Sequence, residues 1–259
     1  MVPAMLDLTG RVALVTGGGS GIGRAIALRL SRCGARVAIL GRTAASLERV
    51  AAEAKGECLP LPCDVTDREA VDEAFAAVRR QLGPLHAVVA NAGSGGPDVQ
   101  EGEDRWEPIL RTNLDGAYFT LRAFQRNLAE GPAPRHALVI SSCVARFGVA
   151  GIAAYSAAKA GQLGLVRSLA VEWAPLQVRV NAICPGWVET EMAAERMGEI
   201  AREMGRPLPE VRAELLGSVP LQRISQPEEI AGLVEFLLSP AAVAFTGQAF
   251  DPNNGAWMG

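Results

Sequence analysis

Tyr155 and Lys159 stand four residues apart in Tyr155-Ser-Ala-Ala-Lys159, a spacing that sets both side chains on one helix face where they can meet. A free tyrosine, with a pKa near ~10, exchanges protons poorly near neutrality. An ammonium alongside favours the phenolate and brings that pKa toward the working range. The chain has two tyrosines, and the other, Tyr118, sits in an apolar helical stretch with no lysine four residues on. Two histidines, His86 and His136, both beside apolar runs, supply poorly either a multi-histidine metal site or a Ser-His-Asp triad. The five cysteines, at 33, 58, 63, 143 and 184, form no Cys-x-x-Cys pair, so no zinc site, no other metal and no disulfide framework is expected. A reducing, cytoplasmic setting fits that usage. Cys143 has no evident partner base and reads as a small packed thiol.

A second chemical feature is the run Thr16-Gly17-Gly18-Gly19-Ser20-Gly21-Ile22-Gly23. Glycines allow a tight turn and a close backbone approach to a diphosphate, and the free N–H groups and dipole of a following helix favour its charge. The spacing Gly-x-x-x-Gly-x-Gly differs from the commoner Gly-x-Gly-x-x-Gly. Each feature also has a plain structural role. Glycine-rich βα turns occur without ligands, Tyr-x-x-x-Lys pairs decorate solvated helices, a Ser-Ser pair such as Ser141-Ser142 can cap a turn, and an asparagine such as Asn113 can cap or bend its helix.

The elements that must position these groups alternate in kind. Val12–Thr16, Val37–Leu40, Ala87–Ala90, Ala137–Ile140 and Val178–Ala182 are short, apolar and β-branched, as in strands buried on both faces. Between them run stretches of 3.6-residue period, with Ile22, Ala25, Ile26 and Leu30 on one face, and Val71, Ala74, Phe75 and Val78 on another, the latter capped at Thr66 or Asp67. Gly34 and Gly83-Pro84 stop the helices. The expectation is one α/β domain over residues 1–259, a doubly wound parallel sheet of Rossmann type with helices on both faces. One segment, about 189–219, breaks the alternation with Met192, Met197, Met204, Pro207 and Pro209; it follows a strand's carboxyl end, where such folds bind ligands, and reads as a small helical substrate lid. With 49% hydrophobic residues, 20% charged, a net charge of −3 and no basic run, the chain is globular and suits neither nucleic acid nor a membrane surface. No leader pattern opens it and no run approaches the roughly 18 apolar residues of a bilayer span.

Taken together, Thr16 to Gly23, Asp64-Val65, Asn91-Ala92-Gly93, Asn113, Ser142, Tyr155 with Lys159, and Pro185-Gly186 resemble, in order and spacing, the short-chain dehydrogenase/reductase family over essentially the whole chain, in particular its 3-oxoacyl reductase-like members. One departure is Ala90, where many members carry another asparagine. The resemblance implies a catalytic tetrad of Asn113, Ser142, Tyr155 and Lys159: the tyrosine is the general acid/base, the serine binds the reacting oxygen, the lysine also holds the nicotinamide ribose, and the asparagine anchors a water and proton relay to the lysine. It also implies a cofactor site from Gly17, Ser20, Gly21, Ile22, Gly23, Arg42, Asp64, Val65, Asn91, Ala92, Gly93, Tyr155, Lys159, Pro185, Gly186, Val188 and Thr190. At the end of the second strand, Gly41-Arg42 offers no acid for the adenosine ribose, and Arg42 can take a 2′-phosphate, so NADP is expected over NAD; alternatively Arg42 starts the next helix in solvent. Ser94, Gly95, Cys143, Val144, Phe147, Val149, Trp187 and Met192 should wall a mostly apolar substrate pocket, with Arg146 as a surface charge.

The expected reaction is reduction of a ketone or 3-oxoacyl group to a secondary alcohol, reversibly, with Tyr155 as proton donor. The alternatives are an NAD-dependent secondary-alcohol or hydroxyacid dehydrogenase, and a cofactor-binding scaffold without catalysis. The resemblance further implies a homotetramer formed through the Tyr155 helix, whose Ala153, Ala157, Ala158, Ala160, Gly161 and Gly164 are small, and a C-terminal segment, Gln248 to Gly255, lying beyond the last strand.

Overall fold

The computed structural model describes residues 6–259. Apolar runs and helical periods alternate as β1 (Val12–Thr16), α1 (Gly21–Arg32), β2 (Arg36–Gly41), α2 (Ala44–Glu53), β3 (Cys58–Pro62), α3 (Arg68–Gln81) and β4 (Ala87–Ala90). A two-strand excursion, β5 (Val99–Gln100) with β6 (Glu103–Asp104), leads into α4 (Trp106–Leu110), a π turn (Arg111–Asp115) and α5 (Gly116–Arg126). Then follow β7 (Arg135–Ile140), α6 (Ala153–Glu172), β8 (Val178–Ile183), α7 (Glu191–Met204), α8 (Leu208–Gly217), α9 (Pro227–Leu237) and β9 (Ala249–Phe250).

Seven strands form one parallel sheet in the order β3-β2-β1-β4-β7-β8-β9. Period-2 alternation divides the core. Val12 and Leu14 face the side that also buries Phe75, Phe124, Val166 and Trp173, while Ala13 and Val15 face the side that buries Ile26, Leu47, Ile230 and Val234. The chain order reverses direction between β1 and β4, so their carboxyl ends diverge into a crevice, the position where doubly wound sheets take ligands. Asp67, not Thr66, caps α3, its carboxylate accepting the Glu69 and Ala70 N–H groups, and Gly34 and Gly83 take positive φ at the stops.

Two strands of this sheet escape the periodic reading. β3 contains Pro60 and Pro62 and survives because it lies at the sheet's edge, where a missing N–H costs no ladder bond. β9 has two residues, and it falls inside the segment expected to follow the last strand.

Candidate active site

The glycine run turns from β1 into α1 with Gly17 and Gly21 at φ +66° and +50°. Asn91 locks this turn from the end of β4. Its Nδ2 donates to the carbonyls of Thr16 at 2.9 Å and Gly17 at 3.3 Å, and the N–H groups of Asn91 and Ala92 donate to Thr16 Oγ1 at 3.0 Å each. A Cβ at Gly23 would lie 2.1 Å from the Gly17 carbonyl, so the helix start packs directly on the turn and no side chain fits there. Ser20 precedes α1 without a side-chain capping bond, and no acidic residue occupies the first turn. Backbone N–H groups and a positive helix end thus face the crevice with no anion of the protein's own, which fits a diphosphate. Ile22 is half-buried behind the turn.

Arg42 stands exposed just beyond the carboxyl end of β2, before α2 begins at Ala44. Asp64, exposed after β3, accepts the Thr66 N–H at 2.9 Å; that bond, with help from Arg42, holds its carboxyl below the ordinary range. Val65 is buried against Gly116, and Gly93 packs on Asn113. Pro185 accepts the Cys143 N–H at 2.9 Å, joining the loops after β7 and β8; Gly186 abuts Asn253, and Val188 is buried. Thr190 caps α7, and its Cγ2 lies 3.1 Å from where a Gly21 Cβ would be, so the start of α7 sits against the glycine turn.

Ser142, Tyr155, Lys159 and Asn113 converge at the carboxyl ends of β4 and β7. Tyr155 is half-buried, and burial pushes its phenol up to about 12, partly offset by a hydrogen bond with the Ser142 hydroxyl. Lys159 is fully buried, and burial pushes its ammonium down to about 8. Its Nζ donates to the Ile140 carbonyl at 2.9 Å and lies 5.4 Å from the centre of the Tyr155 ring. The expected lowering of the tyrosine pKa by the lysine is therefore not what this arrangement produces: the ammonium sits over the ring and spends a proton on a carbonyl, and desolvation wins. Asn113 occupies the π turn, so bending its helix and presenting its side chain go together. Its Nδ2 donates to Ser94 O at 2.8 Å and Ile109 O at 2.9 Å, while Oδ1, buried and unpaired among the described residues, lies close to the Lys159 side of Gly93.

Around this cluster Ser94, Val144 and Trp187 are half-buried, and Met192, exposed on α7, reaches to 3.6 Å of the Gly95 Cβ position. Phe147 and Val149 are 37% and 42% exposed. Cys143 is a buried thiol whose pKa burial raises, as a packing residue requires. Arg146 departs from the surface role expected of it. Its guanidinium pairs with Asp251 at 3.0 Å and lies 4.7 Å from the Trp257 ring centre, tying the C-terminal segment to the Ser142 loop. Asp98, which the sequence reading did not single out, accepts the N–H groups of Ala153 at 2.7 Å and Ala154 at 2.9 Å and so caps the start of α6 from a distant loop. Among the described residues no group of three His, Cys, Asp or Glu side chains could hold a metal, and no helix is long and apolar enough to cross a membrane.

Comparison with known proteins agrees with this geometry. The family profile described as enoyl-(acyl carrier protein) reductase matches residues 17–256. The 3-oxoacyl-[acyl-carrier-protein] reductase FabG of Pseudomonas aeruginosa is 38% identical, covering 98% of this chain and 100% of its own. The acetoacetyl-CoA reductase of a Synechocystis species is 35% identical over 96% of this chain and 97% of its own. Among solved structures, an actinorhodin polyketide ketoreductase variant with NADPH superposes with a TM-score of 0.88 at 33% identity, covering 97% and 99% of the two chains.

Proposed function

The chain belongs to the short-chain dehydrogenase/reductase family, and from that premise we propose that it is an NADP-dependent reductase of ketones or 3-oxoacyl groups. The observation that carries this reading is the half-buried Tyr155 phenol, whose proton affinity Ser142 moderates, with the Lys159 ammonium 5.4 Å from its ring centre.

In this reading Gly17, Ser20, Gly21, Ile22 and Gly23 hold the diphosphate, Arg42 the 2′-phosphate, and Asp64 and Val65 the adenine. Asn91, Ala92, Gly93, Pro185, Gly186, Val188 and Thr190 line the nicotinamide half, and Tyr155 and Lys159 take its ribose hydroxyls. A nicotinamide bound there would supply a hydride to the carbonyl carbon. The residues of the chain do the rest. Ser142 and Tyr155 donate hydrogen bonds to the carbonyl oxygen, which polarises it and fixes its position. A phenol whose pKa burial has raised stays protonated at neutrality, so Tyr155 has a proton to give as the alkoxide forms. Lys159, charged below about pH 8, stabilises the tyrosinate left behind. Ser94, Val144, Trp187 and Met192 shape the substrate space, with α7 and α8 as its lid and Phe147 and Val149 at its rim. The setting is cytoplasmic and the assembly a homotetramer.

Two measurements test this. With a panel of ketones and 3-oxoacyl thioesters, Tyr155→Phe should lower NADPH-dependent turnover by at least about 100-fold, the scale of a lost general acid; turnover within a few-fold of the parent removes Tyr155 from the chemistry. Fluorescence titration should show NADPH binding more tightly than NADH, and equal affinity removes Arg42 from the phosphate site.

A further inference from the structure

Gln162 lies on α6 three residues beyond Lys159 and is 1% exposed. Its Nε2 donates to the backbone carbonyl of Asn113 at 2.7 Å, and its Oε1, buried as deeply, finds no hydrogen-bond partner among the described residues. Asn113 is the buried member of the π turn Arg111–Asp115. A wide turn breaks the regular i→i−4 ladder, and its carbonyls need donors from elsewhere. Gln162 supplies one from the helix that carries Tyr155 and Lys159.

The consequence reaches the Asn113 side chain. With the carbonyl held by Gln162 and Nδ2 held by the Ser94 and Ile109 carbonyls, Oδ1 is the side-chain atom left without a partner among the described residues. A Cβ placed on Gly93 would meet that Oδ1 at 2.7 Å and Lys159 Nζ at 3.6 Å, so the two atoms border the same small space. Apolar packing alone does not ask for an amide at 162. A methionine of similar volume would fill the site but leave the Asn113 carbonyl without its donor, so the amide serves that carbonyl while its own Oε1 stays unpaired, and a buried acceptor without a partner is destabilising. Such a locally unfavourable choice marks a functional site.

We propose that Gln162 is a positioning residue for carbonyl reduction, holding the Asn113 main chain so that Asn113 Oδ1 keeps its place in the space it shares with the Lys159 ammonium beside Tyr155. The proposal rests on the reading of Tyr155 and Lys159 given above. It acts through Asn113 and touches neither substrate nor cofactor.

The test compares Gln162→Met and Gln162→Asn with the parent and with Asn113→Ala, on whichever of the two Gln162 variants keeps the parent's cooperative melting. Loss of the Nε2 donor should lower kcat by about tenfold, as a small misplacement of a catalytic group does, with KM for ketone and the NADPH dissociation constant within about twofold. The alkaline limb of kcat should move to lower pH by about half a unit, because an ammonium that loses a nearby carbonyl dipole gives up its proton more easily. In the Asn113→Ala background the same change should have no further effect on kcat. Unchanged kcat and limb in a folded Gln162 variant, or losses that add fully to those of Asn113→Ala, overturn the proposal. Activity surviving in Tyr155→Phe is a separate result, since it strikes the catalytic reading whatever the Gln162 variants do.

Discussion

Lys159 is the residue whose environment makes the sharpest statement about rate. Buried without a carboxylate among the causes of its shift, it titrates at about 8, below the ordinary lysine value of 10.5. Desolvation sets the sign: the charged form is disfavoured, so the ammonium is present below about pH 8 and lost above it. Tyr155, pushed up to about 12, adds no limb in that range. Reduction should therefore hold a steady kcat/KM from about pH 6 to 7.5 and fall with a midpoint near 8, because the tyrosinate formed on proton donation loses its counter-charge. A ketone-reduction profile measured at saturating NADPH reads this directly; a rate that stays level to pH 10 removes the lysine charge from the mechanism. Helical spacing predicts the meeting of Tyr155 with Lys159, and a thirteen-residue offset separates Ser142 from its neighbour Ser141, which instead donates to the Lys159 backbone carbonyl at 2.9 Å. What spacing cannot carry is a rotamer. Four residues along a helix place two side chains on one face, but the Ile140 carbonyl that accepts the lysine's hydrogen bond comes from a strand nineteen residues earlier.

At the scale of elements, α6 is held in register by a residue remote from it in sequence. Its own start, Ile152-Ala153-Ala154, offers no side chain able to cap, and both carboxylate oxygens of Asp98 do that work. The loop bearing Asp98 is pinned in turn, because the Asp98 carbonyl accepts the Arg105 N–H and Arg105 Nη2 donates to the Gly95 carbonyl at 3.1 Å. Replacing Asp98 by Ala should cost about 1–2 kcal/mol, the range of a lost N-cap, and should lower kcat more than the stability loss alone explains because Tyr155 lies in the first turn of the unfastened helix. Chemical denaturation gives the first number and saturating kinetics the second; a variant as stable as the parent would show that the helix starts without this cap. Local sequence has no access to such a long-range cap, which is why the Tyr155-to-Lys159 spacing implies the helix but not Asp98. It failed likewise at β3, where Leu59-Pro60-Leu61-Pro62 reads as non-strand until the sheet's edge is known, and at the π turn, whose extra residue per turn leaves no mark in the spacing of Asn113.

The whole molecule leaves one face of the sheet's helical cover without an internal purpose. On α6, Ala158 packs inward and Gly161 meets Leu114, whereas Ala153, Ala157 and Ala160 point to solvent, and Val171 is 78% exposed. Alongside, Tyr118 of α5 is 37% exposed, with Arg122 stacked 5.4 Å from its ring centre and paired to Glu172. Small residues let helix backbones approach closely, while an aromatic ring and a two-bond arginine-carboxylate pair give a rim, the composition of a self-complementary interface. A stable contact of this kind buries about 800 Å² per partner, more than one helix face provides, so α5 and α6 must both take part. One isologous contact closes a dimer, so the proposed tetramer needs a second, and multi-angle light scattering should return about four times the 27.2 kDa of one chain. Ala157→Arg changes an exposed helix position where arginine is well tolerated in a single chain, yet it drives a long charged side chain into the proposed contact. Its mass should fall to that of a dimer or monomer while far-ultraviolet circular dichroism stays as in the parent. A parent that is monomeric at micromolar concentration would remove the tetramer, and an Ala157→Arg variant that remains tetrameric would place the contact on some other surface.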